Sequence, residues 1–236
     1  MEIIYEDNHI VAVSKNCHEI VQGDKTGDEP LSETLKRLIK ERDAKPGNVF
    51  LGVTHRLDRP TTGVVLFAKT SKALERLNRM FANSEIHKTY WAIVPNVWAQ
   101  NKELPQEQEL KHWLVRREAQ NRSFAYDAPR PDAKEARLRY KVLSATERYA
   151  LLEVQLFTGR HHQIRCQLSH IGLPIRGDLK YGAPRSNPDG GISLHARRVN
   201  FVHPVSHEEI TIVAPVPDDN LWRALSGQCR PGPTSV

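Results

Sequence analysis

Hydrophobic and polar positions alternate with several distinct periods along the chain, and each period predicts an element. Residues 2 to 14 read as two short strands, Glu2 to Tyr5 and His9 to Ser14, turned at Asp7-Asn8, so a hairpin opens the chain. Between Pro30 and Arg42, Leu31, Leu35, Leu38 and Ile39 recur at helical spacing with Lys and Arg on the other face, the pattern of an amphipathic helix. The compact run GVVLFAK at residues 63 to 69 predicts a strand. Thr70-Ser71 then caps a helix bearing Leu74, Leu77 and Phe81, and Tyr90 to Val94 follows as a strand.

Further on, Leu138, Tyr140 and Val142 alternate with Arg137, Arg139 and Lys141, which predicts a strand with one buried and one basic, solvated face. Tyr149 to Phe157 supplies its neighbour. His161 to Ile171 carries Ile164, Leu168 and Ile171 on one side, with Gly172 as a helix stop. Residues 192 to 202 and 209 to 214 predict late strands, and Asp218 or Asp219 caps a last short helix through Leu225. The polar stretch Gln100 to Gln108 reads as a loop or internal linker, and the Gly/Pro/Ser-rich tail 227 to 236 as disordered. Strands dominate and near neighbours are tightly joined. The expected class is therefore α+β, a single catalytic domain over residues 1 to 226 with a largely antiparallel mixed β-sheet, flanking helices and a central cleft.

Composition changes this picture only modestly. The chain has 236 residues, 39% hydrophobic and 26% charged, enough to bury a core and unlike a disordered, collagenous or coiled-coil protein. The net charge of +6 is segregated: Lys111 to Lys141 holds nine Lys/Arg against four acids, and Gly159 to Arg198 seven against two. Clustering of this kind suits a polyanionic partner. Cys17, Cys166 and Cys229 lie far apart and form no C-x-x-C pair, there is no secretory signal at the start, and no apolar run is long enough to span a bilayer. The expectation is a reduced, cytoplasmic, soluble protein.

Two constellations carry candidate chemistry. In His55-Arg56-Leu57-Asp58-Arg59-Pro60-Thr61-Thr62-Gly63 an acid sits between two arginines just before a β run. A charged turn is the plain reading. However, a carboxylate kept ionised by guanidinium neighbours and fixed by Pro60 and Gly63 is also what a nucleophile or general base requires. In Thr158-Gly159-Arg160-His161-His162-Gln163-Ile164-Arg165 a strand passes through a Gly turn into a helix. Backbone N–H groups and positive charge converging there would suit a phosphate, with a solvated basic first turn as the alternative.

The order and spacing of His55 to Lys69, of Lys88-Thr89-Tyr90, and of Gly159-Arg160 through His162-Gln163-Ile164-Arg165 to Gly177-Asp178 and Tyr181-Gly182 resemble the RluA family of RNA pseudouridine synthases, from about Ile3 to about Pro217. The resemblance implies isomerisation of a uridine in tRNA or rRNA: the N-glycosidic bond breaks, the uracil turns, and C5 becomes bonded to the ribose. It places the catalytic carboxylate on Asp58, an aromatic group against the target base, assisting proton removal at C5, on Tyr90, and a partner for the carboxylate on Arg165. A bidentate arginine would orient that carboxylate and hold it charged. Base extraction from the RNA stack is implied as well, with Arg56 filling the vacated space or gripping a phosphate. Arg59, Arg160, His162 and Gln163 complete the expected RNA-binding set.

Arg116, Arg117, Arg122 and the Arg137/Arg139/Lys141 face, with Trp113, Phe124 and Tyr126 interleaved, would grip an RNA stem and loop. Two departures from the family stand out: Lys15-Asn16-Cys17-His18 replaces its Lys-Pro turn, and Thr62 replaces a Ser. No S4 RNA-binding domain precedes the catalytic region, so target choice is expected of that region itself. An isomerisation calls for no cofactor and no metal, and a monomer is the simpler expectation. Two other readings remain open. One is a metal-dependent hydrolase built on His162, Cys166 and His170 at i, i+4 and i+8; the other is a non-enzymatic RNA-binding module.

Overall fold

The computed structural model describes residues 1–24, 26–98 and 104–229. Chain contacts divide it into two compact units. The first comprises Met1–Lys88, Asp189–Gly191 and Ala196–Pro215; the second comprises Thr89–Pro188, Ile192–His195 and the chain from Val216.

The first unit opens with the predicted hairpin, β1 (Glu2–Glu6) antiparallel to β2 (Ile10–Lys15). Its turn forms because the Asp7 carboxylate accepts the backbone N–H groups of His9 (2.6 Å) and Ile10 (2.8 Å), the local bonding that makes Asp a turn residue. Helix α1 (Leu31–Arg42) starts after Pro30, as the periodicity predicts. A two-residue strand, β3 (Gly52–Val53), escapes pattern reading because it is too short to show a period. It pairs with β4 (Thr62–Ala68), whose other edge takes β2 in antiparallel register. Helix α2 (Ser71–Ala82) begins at the expected cap, the Thr70 hydroxyl accepting from the Ala73 N–H at 3.1 Å. Ala73, Leu77 and Met80 pack on Ile10, Ala12, Val64 and Leu66 to form the core.

A fifth strand, β5 (His87–Pro95), carries the chain into the second unit. There β5 pairs with β9 (Tyr149–Leu156), β9 with β8 (Lys134–Ala145), β8 with β6 (Glu107–Arg117), and β6 with β7 (Arg122–Tyr126), every pair antiparallel. In β8, Ala136, Leu138 and Tyr140 are buried while Arg137, Arg139 and Lys141 are exposed, as the alternation predicts. Strand β6 corrects the loop reading of Gln100 to Gln108: Glu107 and Gln108 are its first two residues, and Gln100 to Glu103 lie outside the described residues. Polar residues suit this strand because its first three positions are exposed and lie opposite Arg139 and Lys141 of β8.

Helix α3 (Gln163–His170) is shorter than its periodicity suggests, because His162 adopts a left-handed conformation at φ 53° and keeps the preceding residues out of the helix. Gly172, at φ +80°, ends it as expected. Strands β10 (Leu194–Val202) and β11 (Glu209–Val213) pair antiparallel, and their residues from Ala196 return to the first unit. Helix α4 (Asn220–Ser226) is capped by Asp219, whose carboxylate accepts from Leu221 and Trp222 N–H groups. It buries Trp222 and Leu225 against Ile93 and Leu151. The proposed disordered tail lies outside the described residues from Arg230 onward.

Candidate active site

The first unit presents the Asp58 loop. Asp58 is half-buried, and its carbonyl accepts the Thr61 N–H at 3.0 Å, closing a turn over Arg59 and Pro60. Leu57 is buried beneath the loop. The ring of His55 packs on Phe81, and its Nε2 accepts the Leu66 N–H of β4 at 3.0 Å. Burial, with Lys88 nearby, lowers its pKa to about 3, so it is a neutral staple.

Lys15 holds the other side of the turn. It is 1% exposed, and its ammonium donates to the carbonyls of Asn16 (2.9 Å), Arg59 (3.0 Å) and Thr61 (2.7 Å). All three of its protons are therefore spent on backbone, two of them within the Asp58 turn. Burial lowers its pKa to about 8, opposed in part by Glu19, Cys17 and Asp58. The loss of the family's Lys-Pro turn leaves this brace intact, since Asn16 supplies a carbonyl and His18 donates its N–H to Arg59 O at 3.1 Å. Sequence reading assigned Lys15 no role; a lysine ending an apolar strand was the available signal.

The two arginines flanking Asp58 part company. Arg56 is exposed, and among the described residues no carboxylate lies within ion-pair reach of it. The Arg59 guanidinium instead bonds Asp28 (2.6 Å), Thr26 (2.7 Å) and Asp24 (3.3 Å), so its charge is answered by the 24–28 loop. It ties two loops together rather than serving the neighbouring carboxylate, contrary to the reading of two flanking guanidinium groups.

The second unit holds the other sequence-predicted residues. Tyr90 lies in β5, 7% exposed and opposite Val154 of β9. Arg165, on α3 and 5% exposed, makes a two-pronged bond to Asp178: Nε to Oδ2 at 2.6 Å and Nη2 to Oδ1 at 2.9 Å, with Asp178 1% exposed. Its guanidinium also faces the Tyr181 ring at 5.1 Å. Asp178 belongs to the quoted Gly177-Asp178 segment but was given no role. It takes the Arg165 guanidinium through two bonds.

Residues at the start of α3 and just before it divide by exposure. Gln163 is 3% exposed. Its oxygen accepts from Arg160 N and Thr158 Oγ1, and its amide donates to Arg137 O, so it braces the turn. Arg160 is exposed and donates through Nε to Glu135 O at 2.9 Å. His162 stacks on His161 at 3.8 Å, and its Nδ1 meets the Tyr181 hydroxyl at 3.0 Å. That hydroxyl also accepts the Ser123 N–H at 2.8 Å, so Tyr181 joins the His162 ring to β7.

The metal-ligand reading of His162, Cys166 and His170 fails on geometry. Cys166 is buried, bonds Ser123 O at 3.3 Å and has its thiol pushed up to about 12 by burial. His162 faces Tyr181, and His170 faces Asp127 at 2.8 Å. A different group, His112, Asp127 and His170, brings its ligand atoms within 4.8 Å of one another. However, Gln167 Nε2, held by Ala136 O at 3.2 Å, donates to His112 Nδ1 at 3.0 Å. The proton of neutral His112 therefore sits on Nε2, pointing at Asp127 3.6 Å away, which suits a hydrogen-bonded cluster and not a metal ligand.

A family model described as RNA pseudouridylate synthase matches residues 9–170, across both units. The tRNA pseudouridine synthase C of Vibrio cholerae is 35% identical over 95% of this chain and 94% of its own length; that of Vibrio parahaemolyticus is 32% identical over 95% and 93%. The ribosomal large subunit pseudouridine synthase D of Xanthomonas campestris is 31% identical over 96% of this chain but 69% of its own length. Among solved structures, human RNA pseudouridylate synthase domain containing 4 superimposes with a TM-score of 0.76 at 25% identity, over 96% of this chain and 92% of its own. The protein is thus a member of the RNA pseudouridylate synthase family and has its α+β fold.

Proposed function

We propose that this pseudouridine synthase acts on a uridine of a transfer RNA, with Asp58 as its catalytic carboxylate. The observation that carries the assignment of Asp58 is its position in the His55-Arg56-Leu57-Asp58 motif, on a turn that a buried lysine braces through two carbonyls. Transfer RNA is favoured because the relatives matched over 93–94% of their own length are named for it, whereas the Xanthomonas ribosomal relative is matched over 69%. In this reading the N1–C1′ bond breaks, the uracil turns, C5 bonds to C1′, C5 gives up its proton and N1 takes one. The sum is an isomerisation that consumes no oxidant or reductant. Tyr90 lies against the base and assists proton removal at C5. Arg165, oriented by Asp178, supplies counter-charge for the catalytic carboxylate. Arg56 enters the space that the extracted nucleotide leaves.

The test is incubation with total RNA from cells lacking the protein, followed by chemical mapping of pseudouridine. One new site in a transfer RNA, absent with Asp58→Asn while RNA binding persists, is the expected outcome. A new site in ribosomal RNA would correct the substrate, and turnover undiminished in Asp58→Asn would remove Asp58 from the mechanism.

A further inference from the structure

The segment 111 to 141 is basic as a whole, and the strands divide its charges sharply. On β8, Arg137 meets Glu109 at 2.6 Å, Arg139 pairs with Glu107, and Lys141 lies 3.8 Å from the same acid. Lys111 of β6 reaches Glu135 at 3.1 Å. Those cations are answered within the sheet and leave little net field.

The β6–β7 ribbon differs. Its register sets Trp113 opposite Tyr126, Val115 opposite Phe124 and Arg117 opposite Arg122. Because side chains alternate along a strand, these six share one face. Leu114 and Ala125 take the other, which Cys166 of α3 and Tyr181 cover. On this face Val115 is buried and Trp113, Phe124 and Tyr126 are half-buried, with Arg122 lying over both Phe124 (5.1 Å) and Tyr181 (5.0 Å) and Arg130 over Tyr126 at 4.1 Å. Among the described residues no carboxylate lies within ion-pair reach of Arg117, Arg122 or Arg130, and the buried Nε of Arg122 has no hydrogen-bond partner. Like charges directly opposite on paired strands repel, so Arg117 and Arg122 form an arrangement that an arriving anion stabilises.

We propose that this face is a docking surface for a single-stranded or loop segment of the substrate RNA, with phosphates on Arg117 and Arg130, the field of Arg122 beside them, and bases stacked on Trp113, Phe124 and Tyr126. Guanidinium groups interleaved with aromatic faces are the chemistry of such binding; an acidic peptide would use the cations and leave the rings idle. The inference rests on RNA being the substrate and adds a surface to that reading.

The test compares Arg117→Ala/Arg130→Ala with Arg137→Ala/Arg139→Ala, two doubles with the same change in net charge, in binding to bulk transfer RNA by fluorescence anisotropy across a salt series. The first double is expected to weaken binding at least tenfold and to reduce the salt slope by roughly 1.5, the value for two lost phosphate contacts. The second should shift binding less than threefold. Tyr126→Leu should weaken binding with the slope unchanged. Equal loss in both doubles, no loss in either, or equal competition by polyglutamate overturns the surface. RNA that binds normally but gains no pseudouridine sinks the proposed function and leaves the surface standing. Turnover indifferent to Arg117 and Arg130 does the reverse.

Discussion

At the residue scale, the side chains that hold the site are less conspicuous than those proposed to act in it. Asp58 stands out in sequence as an acid between arginines, but Lys15 gives its turn a fixed shape. A buried ammonium with three carbonyl acceptors is strongly bonded, and removing it strands those acceptors at a cost of ~1–3 kcal/mol each where water cannot reach. Lys15→Met is expected to lower kcat at least a hundredfold while leaving the affinity for RNA within about threefold, since the lysine touches the turn and is not itself exposed. Single-turnover kinetics beside a binding curve measure both. Equal loss of kcat and affinity would assign Lys15 to folding alone. Arg59 teaches the converse: its position beside Asp58 suggested a guanidinium that holds the carboxylate charged and binds RNA, and its bonds to Asp24, Thr26 and Asp28 make it a tie between loops.

At the scale of elements, the buried pair of Arg165 and Asp178 fastens α3 to the segment that follows it. A buried ion pair adds little over a well-packed apolar pair, but breaking one partner leaves an uncompensated charge and costs ~3–5 kcal/mol. Asp178→Ala is therefore expected to lower Tm by about 10 °C for a chain of this size and to abolish turnover. Removing both charges in Arg165→Met/Asp178→Leu should recover most of the lost Tm without recovering activity. A double variant as unstable as the single would show that packing, and not the lost Arg165–Asp178 pair, is at fault. Strand β4 shows the same dependence on close approach: Gly63, at φ +113°, lies where a Cβ would collide with the backbone of Ala196, so the glycine beside the Asp58 loop is required by geometry.

For the whole molecule, stability should follow pH through a neutral histidine. The pKa of His55 is depressed to about 3 in the folded chain, against its ordinary value of 6.5 when unfolded. Below pH 6.5 the unfolded state takes up a proton that the folded state refuses. The contribution is therefore complete above 6.5 and declines toward pH 3, by at most ~1.4 kcal/mol per pH unit. Glu6, lowered to about 2 by Arg42 and Lys69, adds a decline that begins only below 4.5. Urea midpoints measured between pH 7 and 5 report His55 together with His112, whose pKa burial also lowers, and His55→Gln should reduce the slope of that part of the curve. A slope unchanged in the variant would show that the ring titrates normally.

Much was legible in the sequence for a local reason. Hairpin, helix and strand periods report which residues face the core, and β1, β2, α1, β4, α2, β8, β9 and α4 follow them closely. The Thr70 and Asp219 caps are nearest-neighbour chemistry, and the Asp58 and Arg165 motifs are contiguous, so order and spacing suffice to find them. Strands β6 and β7 were not legible, because β6 opens on exposed polar residues whose partners lie across the strand on β8. The neutralised β8 arginines, the unanswered Arg117 and Arg122, the bond of Arg165 to Asp178 and the Lys15 brace are likewise contacts between residues distant in the chain. Charge and period along one strand do not say which acid or carbonyl will stand opposite; only tertiary register decides that.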